Sequence, residues 1–170
     1  MTRRTRWALG AALMSVAVVL TVPAVVGAGP DSSATVRFGN PTVGSPFQPP
    51  LFDHDSSFKA ADTLIPHTSV ISAPGTVTFN IAGFHQPVIY APGTTPDDID
   101  VPVFDPGPPP VNLFINDFTN LVPGGLGPVN SPPGTTSFPY TFTTPGRYLV
   151  ICNVTPHFAF GKMYGWVEVK

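Results

Sequence analysis

Residues 76–81 (TVTFNI) place apolar Val77, Phe79 and Ile81 in strict alternation with polar Thr76, Thr78 and Asn80. That period of two predicts a half-buried strand. Gly83-Phe84-His85 interrupts the run, and Gln86–Tyr90 (QPVIY) resumes it as a second extended segment. Upstream, Ala34–Phe38 (ATVRF) and Thr68–Ser72 (TSVIS) are short runs of the same kind, the latter followed by a Pro74-Gly75 turn. Residues 39–66 are mixed, and within them residues 52–66 (FDHDSSFKAADTLIP) read as a connection. Residues 137–152 (SFPYTFTTPGRYLVIC) form two extended runs about Pro145-Gly146 and predict a hairpin. The segment MYGWVEVK alternates Trp166 and Glu168 with Val167 and Val169 and predicts a last strand. Between these, residues 91–137 are rich in Pro, Gly and Asp and form a long excursion, within which Val111–Phe118 (VNLFINDF) predicts one strand or a turn of helix. Seven or so short strands, with no helical periodicity beyond the N-terminus, predict an all-β sandwich of one domain over 29–170.

The N-terminus follows a different pattern. Arg3, Arg4 and Arg6 precede an apolar run from Trp7 to Val22, and Val26-Gly27-Ala28 supplies small residues after it. Basic, apolar and small segments in that order predict a secretory signal peptide over 1–28. The run is short and broken by Pro23, so an uncleaved membrane anchor is the lesser alternative. Arg3-Arg4 resembles a twin-arginine signal, but Arg6 sits where an apolar residue is expected. No Cys lies near the cleavage site to accept a lipid. The expected location is therefore outside the cytoplasm: secreted, periplasmic or at the cell surface.

Beyond the leader, five basic residues (Arg37, Lys59, Arg147, Lys162, Lys170) face ten acids, with no basic cluster. This excludes nucleic acid as an expected partner, because phosphate binding needs grouped Lys and Arg. The single cysteine, Cys152, excludes an internal disulfide. In an oxidising compartment a lone thiol must be buried, paired between chains or bound to something.

The surroundings of Cys152 favour the last. His157 follows at C-x4-H and Met163 at H-x5-M, on one connection between two predicted strands. Thiolate, imidazole and thioether are copper ligands. Two His and one Cys with a long axial Met make a type 1 (blue) electron-transfer site. His85 is the expected second imidazole, because it sits where a strand breaks at GFHQ. Taken singly, each residue has a simpler reading: Cys152 as a buried thiol, Met163 as core filler, His85 and His157 as satisfied polar groups. The joint pattern favours a metal.

Residues 75–90 and 137–170 resemble the cupredoxin family, the plastocyanin and azurin type of small blue-copper proteins. The motif reads Tyr148-Leu149-Val150-Ile151-Cys152, then His157, then Met163 with Gly165 and the strand WVEVK; the upstream histidine matches His85 in NIAGFHQPVIY. The resemblance covers about half of the chain beyond the leader and all four ligand positions. It implies a Greek-key β-sandwich holding one copper ion through His85, Cys152, His157 and Met163. It also implies one-electron transfer between redox partner proteins by a monomeric carrier, not an enzyme. Two positions depart from the family pattern. Gln86 stands where Asn often ties the two ligand loops together, and Lys162 separates Gly161 from Met163.

No H-x-H pair, G-x-S-x-G, H-E-x-x-H or phosphate-binding glycine loop occurs, which disfavours multicopper oxidase, hydrolase and nucleotide chemistry. His54 and His67 are the remaining histidines, and Asp53-His54-Asp55 reads as a solvated turn, with a second metal site as the lesser alternative. Asp97, Asp98, Asp100 and Asp105 read as a solvated loop, the functional alternative being a docking patch for a cationic redox partner. Phe84, Pro156, Phe158 and Phe160 flank the ligands, either as an apolar ring around His157 or as core. Two rival functions use the same residues: copper delivery on the same fold, and a metal-free extracytoplasmic sandwich with Cys152 merely buried.

Overall fold

The computed structural model describes residues 30–39, 64–107, 109–131 and 134–170. The expected leader at 1–28 and the Asp53-His54-Asp55 turn lie outside them. Among the described residues, no helix is long and apolar enough to cross a membrane.

Among the described residues, nine strands form two facing sheets. They are β1 (Ser33–Phe38), β2 (Leu64–Ile65), β3 (Thr68–Ile71), β4 (Gly75–Ala82), β5 (Pro87–Tyr90), β6 (Leu121–Leu126), β7 (Thr135–Phe142), β8 (Gly146–Cys152) and β9 (Tyr164–Val169). One sheet has the order β2-β1-β4-β7 and the other β3-β9-β8-β5-β6. The pairs β1/β4 and β3/β9 are parallel and the rest antiparallel. The expected all-β sandwich is therefore present.

β4 shows why the alternation works. Val77, Phe79 and Ile81 are fully buried while Asn80 is exposed. Burying each such side chain contributes roughly 1.5–3 kcal/mol. They meet Val36 and Phe38 of β1, and Tyr148, Val150 and Cys152 of β8, in one central core.

Three expectations change. The two runs about Pro145-Gly146 are strands, but not a hairpin. β7 pairs only β4, whereas β8 pairs β5 and β9 in the opposite sheet. The turn arches across the core because both strands carry aromatic faces that must be covered: Phe142 packs edge-on against Tyr148 at 4.9 Å, and Tyr148 Oη donates to Thr144 O at 2.8 Å. The TSVIS and TVTFNI runs likewise part into opposite sheets after Pro74. Second, Val111–Phe118 is neither a strand nor a helical turn. It makes isolated bridges only (Asp105 to Val111, Phe114 to Val154), and Asn112 and Asn116 adopt φ of 55°. Third, a five-residue helix, α1 (Thr155–Ala159), stands in the Cys–His connection where none was expected. Pro156 lies in its first turn, where its missing N–H costs nothing.

The described residues of the 91–137 excursion are structured. They contain a 3-10 turn (Pro96–Asp98) and the edge strand β6, which tolerates Pro123 because it needs only one ladder. Ile99 and Ile115 pack with Val88, Tyr90, Leu149, Ile151 and Phe158 in a second apolar cluster outside the five-stranded sheet. That sheet is thus covered on both sides. Accordingly β5 is buried at every position and β8 from Tyr148 to Cys152.

Candidate metal centre

β8 delivers Cys152 to its buried end, fully enclosed. α1 carries His157 five residues on, and the break between β4 and β5 presents His85; both imidazoles are 2% exposed. The three expected donors converge. Cys152 Sγ lies 3.6 Å from His85 Nδ1 and 3.7 Å from His157 Nδ1, and the two Nδ1 atoms are 3.0 Å apart. A point about 2 Å from all three atoms exists at the centre of that triangle, matching metal–nitrogen and metal–sulfur bonds of roughly 2.0–2.3 Å. Among the described residues this is the one grouping of His, Cys, Asp and Glu able to hold a metal ion.

Both site imidazoles are held in the neutral form. Burial lowers His85 from 6.5 to about 4. His157 is held well below 6.5 by burial and then by its neighbour His85. Both rings are therefore neutral near pH 7, the form that ligates metals. Soft sulfur with two imidazoles in a buried triangle fits a single type 1 copper ion.

Met163 is fully buried in the central core. Its N–H donates to His157 O and its carbonyl accepts from Cys152 N–H, both at 3.0 Å. Its backbone is thus tied to two of the expected ligands. Lys162 before it, two residues past the helix C-cap Phe160, takes a left-handed φ of 54°, which residues with a side chain rarely adopt. Its N–H bonds Phe158 O at 3.1 Å.

Gln86 ties the ligand loops as the family's Asn is expected to do. Its Oε1 accepts from Asn153 Nδ2 at 2.8 Å, its backbone carbonyl accepts from Asn153 N–H at 2.8 Å, and its Nε2 donates to Gly127 O at 2.9 Å. Two further supports were not foreseen. Asn153 is 1% exposed. Its signal in the sequence was a polar residue directly after a continuous apolar strand. Asn130 has no such signal. It is buried, donates its N–H to His85 O at 2.9 Å, and gives Nδ2 to Gly83 O and Gly134 O at 2.7 and 2.8 Å. Gly39, at φ 87°, lies so close that a Cβ there would stand 2.5 Å from the His85 ring.

The four flanking apolar residues divide. Pro156 and Phe158 are buried, Phe158 in the second core, while Phe84 is half-buried against Phe114 and Phe160 is 50% exposed. They do not form one surface ring. In the acidic run, Asp98 accepts from Thr95 N–H and Oγ–H, and Asp105 accepts from Gly107 N–H, so these two cap local turns. His67 stacks edge-on against Tyr164, away from the site.

No protein-family model matches the chain, and no curated protein matches it. Among solved structures it is similar to dithionite-reduced auracyanin from Roseiflexus castenholzii (17% identity, 84% of this chain and 99% of that one, TM-score 0.49). It is also similar to the copper protein rusticyanin (23% identity, 84% and 80% covered, TM-score 0.45). A purple cupredoxin from Nitrosopumilus maritimus matches at 14% identity, with 81% and 99% covered and a TM-score of 0.41.

Proposed function

We propose that the chain is a cupredoxin-like type 1 copper protein, exported by its 1–28 leader, that carries single electrons between partner proteins outside the cytoplasm. The observation that carries this reading is the buried triangle of Cys152 Sγ, His85 Nδ1 and His157 Nδ1. In this reading those three residues, with the Met163 thioether, would hold the copper ion. Bound copper supplies a one-electron couple that no side chain here offers by itself. The protein's part is to hold both imidazoles neutral, exclude water and disulfide partners from Cys152, and keep the ligands in place in both oxidation states. Residues 29–170 act as one domain, a monomeric carrier rather than a catalyst.

The test is reversible cycling. Copper-loaded protein, reduced with ascorbate and reoxidised with ferricyanide over repeated cycles, should regain its full visible spectrum and retain its metal against a chelator. Loss of Cu(I) to the chelator on each reduction would instead indicate copper delivery.

A further inference from the structure

One short segment of the excursion, residues 113–116, touches both ligand loops. Thr155 N–H donates to Leu113 O and Ile115 N–H donates to Asn153 O, both at 2.9 Å, closing the bridge between Phe114 and Val154. Asn116 N–H donates to Asn153 Oδ1 at 3.1 Å. On the other side the Phe114 ring packs against Phe84, beside His85, at 6.0 Å between centroids. Residues 113–116 therefore lie across both loops that present the donors.

The excursion is also fixed to the sheet. Ala91 N–H donates to Asn120 O at 2.9 Å, Tyr90 Oη donates to Asp117 O at 2.6 Å, and Ile99 and Ile115 sit in the outer core. The helix that bears His157 has only five residues, far too few to hold itself together in water. Its position depends on neighbours, and Phe158 on that helix is buried in the core that the excursion completes.

We propose that residues 113–116 are a positioning element for the metal loop. The excursion clamps residues 153–158 against the five-stranded sheet, so that Cys152 and His157 hold their separation whether or not metal is bound. Phe114 is its positioning residue. The inference rests on the proposed copper reading for its purpose, but the clamp itself is testable in the metal-free protein.

The experiment labels Cys152 in the full, metal-free protein with a thiol-reactive disulfide under native conditions, in wild type, Phe114→Ala and Phe114→Leu. The clamp predicts labelling of Phe114→Ala faster by roughly tenfold, the change that about 1.4 kcal/mol in local opening produces, beyond what its urea midpoint accounts for. Phe114→Leu should restore most of the protection. Phe114→Ala labelling at the wild-type rate would overturn the proposal. If Phe114→Ala does not fold, amide exchange on wild type decides: Ile115, Asn116 and Thr155 exchanging together and as slowly as β8 supports the clamp, whereas Thr155 exchanging at the rate of exposed loop amides overturns it. After Cu(II) loading, the clamp also predicts a shifted or broadened thiolate band in Phe114→Ala, restored in Phe114→Leu. A wild type that forms no such band would refute the copper reading, while labelling and exchange would still decide the clamp.

Discussion

Acidifying the metal-free protein should weaken its fold well before its carboxylates titrate, because both site imidazoles are buried and neutral. For His85 the change can be worked out. Its folded value is about 4 against 6.5 when exposed. Between those values the unfolded chain binds a proton that the folded chain does not, so stability rises with pH through this window and falls as pH drops through it. Above 6.5 neither state is protonated and the contribution is flat. The expected loss from His85 is about 1 kcal/mol by pH 5.5 and about 2–3 kcal/mol by pH 4.5. His157, also lowered, adds loss of the same sign. Asp98 and Asp117 have lowered values as well, but their stabilisation is lost only below the ordinary carboxylate range, so the windows separate. Urea unfolding of metal-free protein at several pH values reads this directly. With a slope of about 1–3 kcal/mol per molar, the midpoint should fall by about 1–2 M between pH 7 and 4.5. The fall should shrink in His85→Gln. A midpoint unchanged across that range would refute the argument that these rings are neutral because they are buried.

Three substitutions probe other links. Phe79→Ala removes a fully buried ring from the central core and should cost about 3–5 kcal/mol by urea unfolding, leaving the Cu(II) spectrum of the folded fraction unchanged. Lys162→Gly relieves a left-handed residue and should stabilise by about 0.5–1 kcal/mol, read as a raised melting temperature. Gly39→Ala should displace His85, since the new Cβ would stand 2.3 Å from Ala82 O and 2.5 Å from the ring. A Cu(II) titration should then show weakened binding, and wild-type affinity would contradict the close approach.

The grouping of His85, Cys152 and His157 was legible because it is carried by residue type and spacing. A lone Cys at the end of an apolar strand, with His and Met following on one connection, leaves few alternatives. β4 was legible because its alternation is strict. The Pro145-Gly146 turn was read as a hairpin because a Pro-Gly turn looks the same whether the next strand stays in its sheet or crosses to the other. Strand β6 was hidden by Pro123 and two glycines, residues that an edge strand tolerates. The outer core does have a signal in the sequence: YLVIC and PVIY are continuous apolar runs, which need a cover on both faces, and the excursion is a long segment able to supply it. The short helix gave no periodicity, since one turn is too brief to show any.

The central claim is that Cys152, His85 and His157 together bind copper through the thiolate. The most direct test adds Cu(II) to purified protein lacking residues 1–28 and records the visible spectrum beside that of Cys152→Ala. An intense thiolate-to-copper band in wild type, saturating at one equivalent and absent from Cys152→Ala, is the predicted result. No band in wild type, or an equal one in the variant, would contradict it.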